Sequence, residues 1–230
     1  MRIRKNFERP EGKKSARLVI IATEGRKTEH IYFEALKEKM EASNVHVVVL
    51  SQDEEKNSDP DPNSVYNRLC EFKDFYQIGD DDELWMVIDR DRWHQRNLSY
   101  LAQKCHQNSN MNFCVSNPAF ELWLMLHLVG VEGLSEQEKA DIIINRKTRK
   151  GGDPFLKRKM RELLGGYNES RYDTDRLLKE GNVNLAITRA AALDVFPADR
   201  WPNTLGTRVY LLANSIIGIN SSSSQLTFSR

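Results

Sequence analysis

Apolar residues in the first half of the chain fall into short continuous runs, separated by longer stretches in which they recur every third or fourth position. The runs lie at 17–23 (RLVIIAT), 45–50 (VHVVVL), 84–88 (LWMVI) and 112–116 (NFCVS). They are rich in branched residues and too short for buried helices, so they predict strands covered on both faces. Between them Phe33, Leu36 and Met40 keep helical spacing within about 28–43, as do Val65, Leu69, Phe72 and Phe75/Tyr76 within about 63–77. A third helix is predicted over 98–107. Ser58-Asp59-Pro60-Asp61-Pro62 reads as a loop, because a residue before proline is pushed out of helical geometry. The resulting β-α-β-α-β-α-β order predicts an α/β fold with a largely parallel sheet, right-handed crossovers and helices on its faces.

The pattern changes after residue 117. Asn117-Pro118 precedes a strongly apolar helical stretch at 119–129, with Asn117 expected as the cap and Pro118 at the first helical position. Helical patterns recur at 135–145, 154–164, 173–179, 183–193 and 204–217, and no strand pattern is evident there. The expected organisation is a basic N-terminal tail (1–16), an α/β domain (17–130), a helical lobe packed on it (131–220) and a flexible polar tail (221–230).

At 230 residues the chain can bury a sizeable core. Its net charge of +1 creates no global field toward nucleic acid or membrane, so the distribution of charge matters more than the total. Residues 1–17 carry Arg2, Arg4, Lys5, Arg9, Lys13, Lys14 and Arg17 against only Glu8 and Glu11. A second basic stretch, Arg146 to Arg161, contains Lys147, Arg149, Lys150, Lys157, Arg158 and Lys159. Such clusters suit a phosphodiester polymer, and equally suit a solvated face or a loose tail. The first apolar run is too short for a secretory signal, and none is long enough to span a membrane. Cys70, Cys105 and Cys114 have no metal-type spacing, which fits a reducing cytoplasm.

Chemistry is expected beyond the carboxyl ends of the strands, where open parallel sheets gather functional groups. The first run delivers Glu24 followed by Gly25, and the third delivers Asp89-Arg90-Asp91. Asp89 and Asp91 share a side while the backbone stays extended. Converging carboxylates do not all remain ionised without a cation, and hard oxygen ligands select Mg²⁺ or Mn²⁺. Glu29 is expected to complete that shell or to cap a helix start. Glu121 interrupts an apolar face, which is costly without a partner or ligand, although an acid near a helix start is also favoured by the helix dipole. Arg26 and Lys27 could hold a phosphate, together with Arg149, Lys150 and Lys157. His94, close behind the aspartates, is the histidine placed to move protons, whereas His127 reads as a satisfied core residue.

Glu24-Gly25 with Lys27-Thr28-Glu29, then Asp89-Arg90-Asp91, then the block from Ser116 to His127 (SNPAFELWLMLH), and finally Trp201-Pro202-Asn203-Thr204 together resemble the RloB family. That family is similar to AbiLii-type abortive-infection proteins, and the resemblance spans about residues 17–217. It implies a Toprim-like sheet flanked by helices, with a C-terminal helical lobe. By the same resemblance, Glu24 is a general acid or base, Asp89 and Asp91 are a metal-binding pair, and Glu121 is a further acid of the nuclease branch. It also implies a phage-defence role beside an ABC-type ATPase, which this chain cannot supply because it has no GxxxxGK[ST] run. The further aspartate that many Toprim sites carry after the DxD is replaced here by Arg92-Trp93-His94.

Taken together, these features lead to the expectation of a Mg²⁺-dependent endonuclease in the cytoplasm, cutting RNA (tRNA included) or DNA as a toxic effector. A homo-oligomer is left open. The alternative is a non-catalytic Toprim-like scaffold whose helical lobe docks the ATPase. Nucleotidyl transfer in the manner of primases lacks a nucleotide-binding signature.

Overall fold

The computed structural model describes residues 4–52, 61–90, 93–147 and 150–218. Asp91, Arg149, most of the acidic 53–61 stretch and the expected tail at 221–230 lie outside them. The elements, in chain order, are β1 (Arg17–Thr23), α1 (Thr28–Met40), β2 (Val45–Val49), α2 (Pro62–Phe75), β3 (Glu83–Asp89), α3 (Gln95–His106) and β4 (Met111–Asn117). There follow α4 (Glu121–Leu128), α5 (Glu136–Ile144), α6 (Phe155–Leu164), α7 (Thr174–Leu177), α8 (Asn182–Leu193), β5 (Gly206–Thr207) and α9 (Val209–Ile217).

The strands form one sheet in the order β2-β1-β3-β4-β5. β1 is parallel to β2 and to β3, with Thr23 in register with Val87. The bonds Leu84 N–H to Asn110 O and Arg90 N–H to Ser116 O keep one offset, so β4 also runs parallel to β3. The architecture is α/β and consistent with a Toprim-like sheet. Leu18 to Ala22 are fully buried, as a central parallel strand requires. Each large side chain there contributes roughly 1.5–3 kcal/mol.

The chain divides into two compact units interleaved along the sequence, rather than into consecutive stretches. The first is built on Met1–Val87, His94–Phe113 and Asn214–Asn220, the second on Ile88–Trp93 and Cys114–Ala213. In the second, α4 is apolar nearly all round, with Glu121 to His127 all buried, and it packs on α6 and α8.

Three expectations change. The second half does contain a strand: β5 is antiparallel to β4, with Ser116 opposite Thr207 and their hydroxyls 2.8 Å apart. Two residues carry no periodicity, so no pattern could announce it. Consequently the last helix starts at Val209 rather than 204.

Asn117 does not cap the following helix. The Asn117–Pro118 bond is cis, α4 begins only at Glu121, and the Asn117 amide donates instead to Pro202 O (3.0 Å) and Thr204 O (2.8 Å).

The described part of the basic N-terminal segment is neither loose nor a free cationic patch. Lys5 exchanges backbone bonds with Phe75 and Gln77, and Phe7 packs on Phe72 and Tyr76. Arg9 pairs with buried Asp82, Lys13 with Glu41, and Arg17 with Glu83. Asp82 also accepts the Leu18 N–H at 2.7 Å, fixing the turn that precedes β3 to the start of β1.

Candidate functional site

In the first unit the relevant loop joins β1 to α1. Glu24 leaves β1 with its N–H donated to Val87 O at 3.0 Å, so it follows the sheet's carboxyl edge. Glu24 is 3 % exposed and Glu29 6 %. Glu29 lies in the first turn of α1 and its Oε1 accepts the Gly25 N–H, on the loop before the helix, at 3.1 Å. The Glu29 carboxylate lies where a Gly25 side chain would be: a Cβ at Gly25 would come 1.8 Å from Glu29 Oε2. Gly25 is therefore favoured by this close approach and not by a turn. The structure places these two buried acids at the two ends of the short β1–α1 connection.

Two residues with no expected role hold that loop. The Gln52 amide donates to Thr23 O (3.1 Å) and Glu24 O (2.8 Å), while its Oε1 accepts from Arg26 Nε (2.9 Å). Arg68 of α2 donates to Thr23 O and to Leu50 O. Gln52 follows β2, so the strand-end rule that singled out Glu24 also covers it, whereas Arg68 gave no signal. Arg26 is thus engaged by Gln52, and Lys27 is exposed at the N-cap of α1. His94 is exposed at the N-cap of α3 and makes no capping bond through its side chain.

In the second unit Asp89 is the last residue of β3 and is half-buried. Glu121, 6 % exposed, opens α4 and accepts the Tyr167 hydroxyl at 3.1 Å. Tyr167 also lines a polar cleft of about 220 Å³ with Lys157, Arg161 and Asp153. Lys157 pairs there with Glu169 and Arg161 with Asp153, so these cations are balanced; Lys150 is exposed. His127 is buried, with Nδ1 2.9 Å from Trp123 O, and burial, reinforced by Arg189, pushes its pKa down to about 4. It is a core histidine, as expected. Cys114 is buried and burial raises its thiol pKa, so it is unreactive packing.

Over residues 19–216 the chain matches the RloB-like protein family. It is an RloB-like protein. Neither curated proteins nor solved structures yield a match to this RloB-like chain. No described helix is long and apolar enough to cross a membrane.

Among the described residues, no group of three or more His, Cys, Asp or Glu side chains is placed to hold a metal ion. Asp91, expected beside Asp89, lies outside them. The donors present suit a hard cation in kind. Glu24, on the loop, and Glu29, in the first turn of α1, are carboxylates withdrawn from water, a burial that is costly for like charges unless they are compensated.

Proposed function

We propose that this RloB-like protein is a metal-dependent nuclease acting in defence against phage, with RNA or DNA phosphodiesters as substrate. The observation that carries this reading is the pair of buried acids at the β1–α1 connection, Glu24 on the loop leaving β1 and Glu29 in the first turn of α1. Asp89 ends the neighbouring strand β3. The sequence motifs, rather than any described geometry, nominate Glu24, Glu29, Asp89 and Asp91 as the carboxylates that would hold Mg²⁺ or Mn²⁺. Such an ion, when bound, polarises the phosphodiester and acidifies water. Glu24 or the exposed His94 exchanges the proton of the attacking water. Glu121, tied to Tyr167, is assigned to support of α4 first and to chemistry second. An ABC-type ATPase partner would restrain or release the activity, in keeping with the resemblance.

The test is induced expression of wild type beside Asp89→Ala/Asp91→Ala, with cellular DNA and RNA examined for breaks. Fragments confined to the wild type support the reading and name the polymer. Equal fragmentation by the double variant sinks the assigned role of the acids.

A second reading, a non-catalytic subunit, draws on one observation. Val195 and Phe196 are 61 % and 62 % exposed on a loop whose carbonyls at 196, 197 and 199 accept from Arg208. A rigidly held apolar tip suits docking. Under this reading Phe196→Asp abolishes protection against phage, and the Asp89→Ala/Asp91→Ala variant retains it.

A further inference from the structure

Arg90 stands between Asp89 and Asp91 in sequence, directly after the last residue of β3. Its backbone is fixed: the N–H donates to Ser116 O at 2.9 Å and the carbonyl accepts from Trp93 N–H at 3.3 Å. Its side chain is the opposite. Among the described residues the guanidinium has no hydrogen-bond or ion-pair partner, and Nε is buried without one. Folded proteins rarely leave a buried donor unused, least of all on a charged group.

Three other cations near candidate chemistry are engaged. Arg26 is bonded to Gln52, Lys157 is paired with Glu169, and Arg161 with Asp153. Each already has a structural reason to be where it is, and Arg90 has none among the described residues. β3 ends at Asp89 and Arg90 lies in a bend, so strand alternation no longer dictates its direction. A guanidinium is a planar fork of donors matched to phosphate oxygens, and it stays charged at any working pH.

We propose that Arg90 is a phosphate-binding residue of this protein, donating from Nε and a terminal nitrogen to non-bridging oxygens of a nucleic-acid phosphodiester. The inference rests on the nuclease reading and adds a substrate-contacting residue to it. A lone arginine between two aspartates looks like their charge partner, which is why the motif alone does not suggest this role.

The experiment uses the full chain with Ca²⁺ in place of Mg²⁺. Fluorescence anisotropy measures affinity for short fluorescein-labelled single strands of RNA and DNA across a salt series, and each variant's melting temperature is recorded. Arg90→Met is expected to weaken binding by about tenfold and to reduce the salt slope by about one phosphate contact. Its melting temperature should equal or exceed that of wild type, because an unpaired buried donor has been removed. Arg90→Lys should recover the salt slope but only part of the affinity.

Unchanged affinity in Arg90→Met overturns the proposal. So does an affinity loss that comes with a lowered melting temperature and an unaltered salt slope, which marks a structural residue. A wild type that binds neither strand overturns it as well. Asp89→Asn/Asp91→Asn separates the two claims, since it should cleave nothing in Mg²⁺ while its residual binding still weakens when Arg90→Met is added. Binding that depends on Arg90 in a wild type that never cleaves ends the nuclease reading alone. Cleavage that is indifferent to Arg90→Met ends the Arg90 assignment alone.

Discussion

The Glu29 carboxylate occupies the space that any side chain at residue 25 would need, and it accepts the Gly25 N–H at 3.1 Å. The glycine and the acid therefore form one unit, four residues apart. Gly25→Ala should displace the end of a flexible side chain rather than backbone, at a cost of roughly 1 kcal/mol. In a Glu29→Ala background the same substitution should cost close to nothing. Denaturant titrations of the four proteins give that coupling directly. Under the metal reading, calorimetric titration with Mn²⁺ should show weaker binding in Gly25→Ala than in wild type.

Tyr167→Phe removes the hydroxyl bonded to buried Glu121. A buried carboxylate that loses its donor costs about 1–3 kcal/mol. Glu121→Gln keeps an acceptor for that hydroxyl and loses the charge, so it should be the milder change. Urea unfolding ranks the two, and a milder Tyr167→Phe would show that this bond does not sustain α4.

His127 should make stability fall on acidification. Its folded pKa, about 4, lies below the ordinary 6.5 because burial disfavours the charged ring. Between those values the unfolded chain takes up the proton and the folded chain does not. The stabilisation is complete above pH 6.5 and is lost progressively toward pH 4, by on the order of 3 kcal/mol. Unfolding free energies at pH 7, 5.5 and 4.5 test this, with His127→Leu expected to flatten the profile. A wild-type slope retained in that variant would assign the pH dependence elsewhere.

Asp194 and Arg208 form a buried ion pair with two contacts, at 3.0 and 3.2 Å. Removing either partner leaves a desolvated charge, so Asp194→Ala should cost about 3–5 kcal/mol. Because Arg208 also holds the carbonyls at 196, 197 and 199, amide exchange across 195–199 should accelerate beyond the global change.

The strands of the first half were legible because buried parallel strands leave unbroken apolar runs, and Glu24 and Asp89 follow directly from where those runs stop. The helices, too, announced themselves by spacing, within a few residues at their ends. What escaped is long-range bonding between side chain and backbone. Gln52 on the Thr23–Glu24 carbonyls, Asn117 on the 202–204 loop and Lys13 on Val45 O (2.6 Å) carry no periodic signature, since their partners are set by the folded path. Asn117 is instructive: before proline and an apolar helix it has the local chemistry of a cap, and the folded chain uses its amide elsewhere. The interleaving of the two units was hidden for the same reason, as nothing local says that 214–218 returns to the first strands.

That return has a temporal side. Arg17, at the start of β1, and Glu83, at the start of β3, bond to each other and both reach Ser215, through its carbonyl and its hydroxyl. Synthesis delivers the first two nearly two hundred and more than one hundred residues before the third, so the sheet's amino edge waits, unlatched, on the ribosome. Chains arrested before residue 215 should expose β1 to protease, and chains arrested well beyond it should not. The order of synthesis would then act as a timer, with the first unit completed only once most of the second has been made.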